Sequence, residues 1–162
     1  MRLLAVDPGV RMCGVALFER GRLKRAGLAR CTLPGNVPYR CMAEAVMAWA
    51  GDVDVLATER PQQYPHAPTP RSSVQALEGV VGAVQAIAGT DDVHTYTPAM
   101  WKGQVPKGVM YGRIVQRLSE TERGRAAKAV LSVDLKRSIH HNALDAVGVG
   151  LYHLGRLRRR ML

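Results

Sequence analysis

Leu3-Leu4-Ala5-Val6-Asp7-Pro8-Gly9 is a short apolar run that ends in an acid and a Pro-Gly pair, the pattern of a buried strand closed by a tight turn. Asp7 then stands at the C-terminal end of that strand. Cys13-Gly14-Val15-Ala16-Leu17-Phe18, the turn residues Glu19-Arg20-Gly21 and the segment Leu23 to Cys31 read as a second and third strand in a hairpin or meander. Three strands ahead of any helix exclude the simple doubly wound order and predict an α/β domain with a mixed sheet.

Beyond Cys31 the hydrophobic period changes. Pro38 to Ala50, apolar at Met42, Val46, Met47 and Trp49, predicts a helix stopped by Gly51. Val53 to Thr58 predicts a fourth strand that delivers Glu59, followed by Arg60-Pro61. Pro61, Pro65, Pro68 and Pro70 make the stretch from Arg60 to Arg71 a loop. Ser72 is the expected N-cap of the next helix, whose apolar stripe runs through Val74, Leu77, Val80, Val81, Val84 and Ile87. Gly79 and Gly82 interrupt it, and their cost to the helix points to close packing of another backbone. Val93 to Thr97 reads as a fifth strand, Pro98 to Trp101 as a helical turn, and Lys107 to about Leu118 as a helix. Ser119-Glu120-Thr121-Glu122 is a capping box that opens a further short helix. The last helix starts at Ser138 or Ile139, carries Ala143, Leu144, Val147, Leu151 and Leu154 on one face, and runs into Arg156 to Arg160, read as either a phosphate-binding helix end or a frayed solvated tail, the former slightly favoured. No repeat or linker divides the chain, so one domain over residues 1–162 is expected.

With 162 residues, 47% hydrophobic and 22% charged, the composition excludes a disordered tail, a collagen-like chain and a coiled coil. Lys and Arg number 23 against 13 acids, a net charge of +10 and a pI near 10.2. Eighteen of the cations are Arg, whose planar fork matches phosphate oxygens, so a polyanion is the expected partner, nucleic acid ahead of an acidic membrane surface. An acid at position 7 fits neither a signal peptide nor a membrane span, and Cys13, Cys31 and Cys41, without CxxC spacing, fit neither a disulfide framework nor a cysteine zinc site. A cytoplasmic protein with no membrane partner and no small-molecule substrate is the expectation.

Asp7, Glu59 and Asp145 are the acids placed to do chemistry, two at strand ends and one early in the last helix. Carboxylates gathered from such positions repel one another unless a cation or protons intervene, and oxygen ligands suit Mg²⁺ or Mn²⁺. His141 and Asn142 lie four and three residues before Asp145, on its side of a helix, and either can add a ligand. Taken singly, each is better explained structurally, Asp7 as a turn cap, Glu59 as an ion-pair partner of Arg60 or Arg71, and Asp145 as a surface acid. The three together are harder to explain that way.

Asp7-Pro8-Gly9 with Cys13-Gly14-Val15-Ala16, Glu59 closing its strand, and His141-Asn142-Ala143-Leu144-Asp145-Ala146-Val147-Gly148 resemble the three acidic motifs of RuvC-type Holliday-junction resolvases. The likeness includes the glycine-bearing helix after Glu59 and Trp101-Lys102-Gly103 with Lys107. It implies a ribonuclease-H-like fold with a five-stranded sheet flanked by helices, a homodimer acting on four-way DNA, and a divalent-metal site that nicks strands of like polarity. Asp7, Glu59 and Asp145 become metal ligands, and Lys102 and Lys107 phosphate contacts, with Tyr64, Arg71 and Arg113 as further candidate DNA contacts. Phosphodiester hydrolysis needs an activated water, charge relief and a stabilised leaving oxygen, which a pair of Mg²⁺ ions about 4 Å apart supplies, Mn²⁺ substituting. The chain departs from the pattern once. Many members carry a fourth acid where Asn142 stands, others a histidine in that turn, here His141 one residue further back, and this variant is closer to the phage-type branch.

Tyr64, in the proline loop, is placed either to stack on an unpaired base or to pack over the prolines, and Trp101 reads as a packing residue. The competing function is a branched-DNA-binding module of the same fold with weak or no cleavage, for which Asn142 is the feature. A fragment of a sugar kinase or actin-like ATPase also begins with strand, Asp and Gly-turn, but 162 residues leave no room for its second lobe.

Overall fold

The computed structural model describes residues 1–35, 38–63, 70–131 and 140–157. Strands β1 (Arg2–Asp7), β2 (Met12–Glu19) and β3 (Arg22–Arg30) come first, then helix α1 (Tyr39–Ala50), β4 (Val55–Glu59), α2 (Arg71–Ile87) and β5 (Val93–Tyr96). Four helices follow: α3 (Pro98–Trp101), α4 (Lys107–Arg117), α5 (Glu120–Leu131) and α6 (His140–His153). The sheet order is β3-β2-β1-β4-β5, antiparallel from β1 through β3 and parallel from β1 through β5. This is the mixed five-stranded sheet expected from three leading strands. The β2–β3 connection is Arg20-Gly21, both at positive φ, the two-residue turn whose twist suits a hairpin.

Alternation along the strands sends side chains to two different cores. Leu4, Val6, Val15, Leu17 and Leu56 face α1 and α2, where Met42, Val46, Val80 and Val84 meet them. Leu3, Ala5, Ala16, Phe18, Val55 and Ala57 face the other side, against Trp101, Met110, Ile114, Ala146, Val147 and Leu151. By the same parity Asp7 and Glu59 lie on the α6 side, each two residues beyond a member of that second core.

Several local readings change. Helix α2 starts at Arg71 with Pro70 as its cap residue and no side-chain cap, because Pro70 already sets an extended entry, so Ser72 sits inside the first turn. Gly79 is covered by the Tyr39 ring of α1, where a Cβ would come within 2.3 Å, so its smallness serves packing inside the chain, whereas Gly82 faces open space. Arg156 is no phosphate-facing helix end: it turns inward, donating to both carboxylate oxygens of Glu122 at 2.8 and 2.9 Å and to the Gly21 and Arg117 carbonyls. The rest of the basic run, Arg158 to Arg160, lies outside the described residues, as does the predicted helix start at Ser138 or Ile139. Among the described residues no helix is long and apolar enough to cross a membrane.

Candidate active site

The register β1 Val6 opposite β4 Thr58 makes Asp7 and Glu59 the next residues at the carboxyl ends of adjacent parallel strands, on one face. The third acid arrives because α6 crosses that face in contact with the sheet. Asp7 pairs with Gly14 across β1–β2, and a Cβ on Gly14 would fall 1.9 Å from the Asn142 carbonyl oxygen. Only a residue without a side chain lets the first turn of α6 lie on β2, which carries Asp145 of the second turn beside Asp7. Asp7 and Asp145 are 9% and 6% exposed.

Burial pushes Asp7 well above the usual carboxylate range, and repulsion from Glu59 and Asp145 adds to it. Glu59 and Asp145 are raised too, chiefly by burial, with the Lys102 ammonium opposing the shift in both. Lys102 Nζ lies 3.5 Å from Glu59 Oε2 and 4.0 Å from Asp145 Oδ2, so a half-buried ammonium bridges the two acids. It also sits 4.7 Å over the Trp101 ring. The Trp101 indole N–H donates to Glu59 Oε2 at 2.7 Å and fixes that carboxylate's rotamer. The ion-pair partner of Glu59 is thus Lys102, not Arg60 or Arg71, because the α6 side of the sheet is where its side chain emerges.

Two buried carboxylates and the half-buried Glu59, all raised chiefly by burial and in Asp7 further by its acidic neighbours, form an oxygen donor set that suits a hard divalent cation. Lys102 is a positive charge already held between two members of that set, Glu59 and Asp145. Among the described residues no three His, Cys, Asp or Glu side chains stand close enough together to grip an ion as they are placed.

The other predicted residues fall on several sides of this cluster. His141 stacks on the Tyr111 ring and is near enough to Asp145 to lower its pKa. Asn142 contributes the backbone contact to Gly14. Lys107 is exposed at the start of α4, yet its charge reaches Asp7 and Asp145. Arg71 lines a groove with Arg60, Gln62 and Gln63, directly after Glu59, and Arg113 lines a cleft with Trp101, Lys102 and Tyr152. Tyr64 lies outside the described residues. Sequence reasoning missed two participants. Trp101 was read as packing alone; it does pack, but its indole N–H orients Glu59, and its place next to Lys102 was the available signal. Tyr111 went unnoticed, although it lies four residues after Lys107, on the same helical face.

No family profile matches the chain. Among curated proteins it is 30% identical to the crossover junction endodeoxyribonuclease RuvC of Frankia alni, over 96% of this chain and 79% of that protein. The enzyme of the same name from Mycolicibacterium vanbaalenii is 28% identical over 96% and 80%. Among solved structures, Thermus thermophilus RuvC in complex with a Holliday junction substrate superposes with a TM-score of 0.54 at 17% identity, covering 94% of this chain and 92% of that one. The yeast mitochondrial Holliday junction resolvase superposes at 0.52 with 11% identity, covering 96% and 80%. Those neighbours identify the sheet and its helices as ribonuclease-H-like. With near-complete coverage at this identity, and acids at the ends of β1 and β4 and in α6, the chain belongs to the RuvC family of crossover junction endodeoxyribonucleases.

Proposed function

We propose that this chain is a divalent-metal-dependent endodeoxyribonuclease that resolves Holliday junctions and other branched DNA, working as one nuclease domain over residues 1–162. The observation that carries the reading is the convergence of Asp7, Glu59 and Asp145 around the Lys102 ammonium, in a chain of net charge +10. Asp7, Glu59 and Asp145 hold the metal, with His141 as the added ligand because it lies near enough to Asp145 to lower that acid's pKa. Mg²⁺ is the expected ion, two per site, with Mn²⁺ substituting; bound there, it supplies an activated water and charge relief at the phosphate. The chain's own part is to keep Glu59 aimed through the Trp101 N–H, to exclude water with the α6 packing, and to offer the Lys102 and Lys107 charges to the scissile phosphate. Arg71, Arg113 and Tyr64 extend the DNA contacts.

Two copies are needed to nick two strands symmetrically, so the working unit is a homodimer, and α2 with the open Gly82 is the face we assign to the contact. The DNA it acts on lies in the cytoplasm. A phage-type sub-branch rests on the His141–Asn142 pair alone. The second reading, a branched-DNA-binding module, rests on Asn142 standing where many members have an acid. Cleavage mapping on a labelled four-way junction beside a fork and a flap, in Mg²⁺ and in Mn²⁺, decides between them. Paired nicks at the junction support the nuclease, and binding without nicks in either ion supports the module. Binding itself should weaken steeply with salt, log K against log salt having a slope beyond about −4, as release of roughly five counterions requires.

A further inference from the structure

Tyr111 of α4 and His141 of α6 stack face to face, with ring centroids 5.3 Å apart and 9° between the planes. The phenol oxygen is buried and has no hydrogen-bond partner among the described residues. The phenol lies within electrostatic reach of all three acids, Asp145 foremost, then Asp7 and Glu59. Buried hydroxyls in folded proteins are nearly always bonded, and one left open in a polar site marks where a bound group supplies the missing oxygen. An imidazole held flat against a second ring has little freedom about its side-chain torsions, so its nitrogens keep fixed directions. Lys107 lies one helical turn before Tyr111, so the face of α4 that carries the stack also carries a cation whose field reaches Asp7 and Asp145.

We infer that Tyr111 is a second-element support of the site: its ring fixes the plane of His141, and its hydroxyl is the donor that meets an oxygen of the phosphate entering beside the acids. The inference rests on the nuclease reading and on His141 as the histidine of the site. It predicts that ring and hydroxyl are separable. Tyr111→Phe keeps the stack and loses the donor, whereas Tyr111→Leu loses both.

Three measurements test it. In the metal-free protein, the carbon-bound ring protons of His141 should carry an upfield ring-current shift that Tyr111→Phe retains and Tyr111→Leu abolishes. In calorimetric titration with Mn²⁺, Tyr111→Phe should stay within about twofold of the parent and Tyr111→Leu should bind roughly tenfold more weakly, the usual scale for a residue that orients a ligand. On a four-way junction, Tyr111→Phe should lower kcat by roughly tenfold with KM unchanged, the mark of a bond made in the transition state. Parental Mn²⁺ affinity in a folded Tyr111→Leu, while His141→Ala weakens binding, would overturn the ring's role alone. Parental affinity in His141→Ala as well would overturn the reading of His141 beneath it, and a Tyr111→Phe that cleaves at the parental rate would overturn the hydroxyl's role.

Discussion

Two groups of buried acids lie on the α6 side of the sheet and show opposite electrostatics. Glu122, 2% exposed, opens α5 as the capping-box glutamate and accepts from the Ser119 and Leu23 N–H groups at 2.9 and 2.7 Å. Arg156 adds two charge-assisted bonds. Burial by itself raises a carboxylate, but these donors outweigh it and hold Glu122 down at about 2. Asp7 and Asp145 are buried, and Glu59 half-buried, as acids should not be, close to each other with one lysine between Glu59 and Asp145, and all three are raised. An acid with a full set of donors stabilises the fold, and acids left short of positive charge store repulsion that a cation relieves. The contrast separates a structural carboxylate from a working one without reference to any relative.

The sharpest way to break the contrast is Asp7→Asn or Asp145→Asn. Each should lower junction cleavage by at least roughly 10³-fold while leaving DNA binding intact. The metal-free Asp7→Asn protein should melt no lower at pH 8 than the parent, since a buried and repelled charge has gone. Full cleavage by either variant would remove the acids from the site.

Glu122→Gln should do the reverse, leaving cleavage per folded molecule unchanged and costing about 3 kcal/mol in denaturant unfolding at neutral pH. The pH dependences differ in sign. Because Glu122 is depressed, its contribution is complete above the ordinary glutamate range near 4.5 and is lost as pH falls through about 2. For the raised site acids, stability is complete below the ordinary range and is lost as pH rises through their shifted values. Melts of the metal-free protein between pH 2 and 5 should therefore steepen for the parent and flatten for Glu122→Gln.

Gly14→Ala tests how the third acid is delivered. Its Cβ would strike the backbone of α6, which cannot yield as a side-chain tip does, so a loss of about 2 kcal/mol and a fall in cleavage should come together. Gly82→Ala has the smallest expected effect. Its Cβ meets nothing, so the gain is about 0.5–1 kcal/mol of stability, and weakened self-association in sedimentation would mark α2 as the dimer contact.

Much of this was legible along the chain. The alternation in β1 and β2, the Arg20-Gly21 turn, the Ser119–Glu122 box and the strand-end positions of Asp7 and Glu59 are local patterns, and each appears where its residues predict. Gly79 and Arg156 differ from expectation because what meets them comes from elsewhere in the chain, the Tyr39 ring and a glutamate 34 residues away, and Ser72 because Pro70, two residues earlier, already sets the helix entry.

The period of apolar residues by itself determined the element order and the side of the sheet on which Asp7 and Glu59 emerge, since alternation in a strand is set by the pleat and needs no partner. Only the tertiary structure decided that Asp145 joins them, that Lys102 and the Trp101 N–H converge on Glu59, and that His141 lies against Tyr111. Those contacts depend on where α6 and α4 dock. That docking is governed by a missing Cβ at Gly14 and by the packing of Trp101, Ile114 and Val147, none of which carries a signal in its own neighbourhood of the chain.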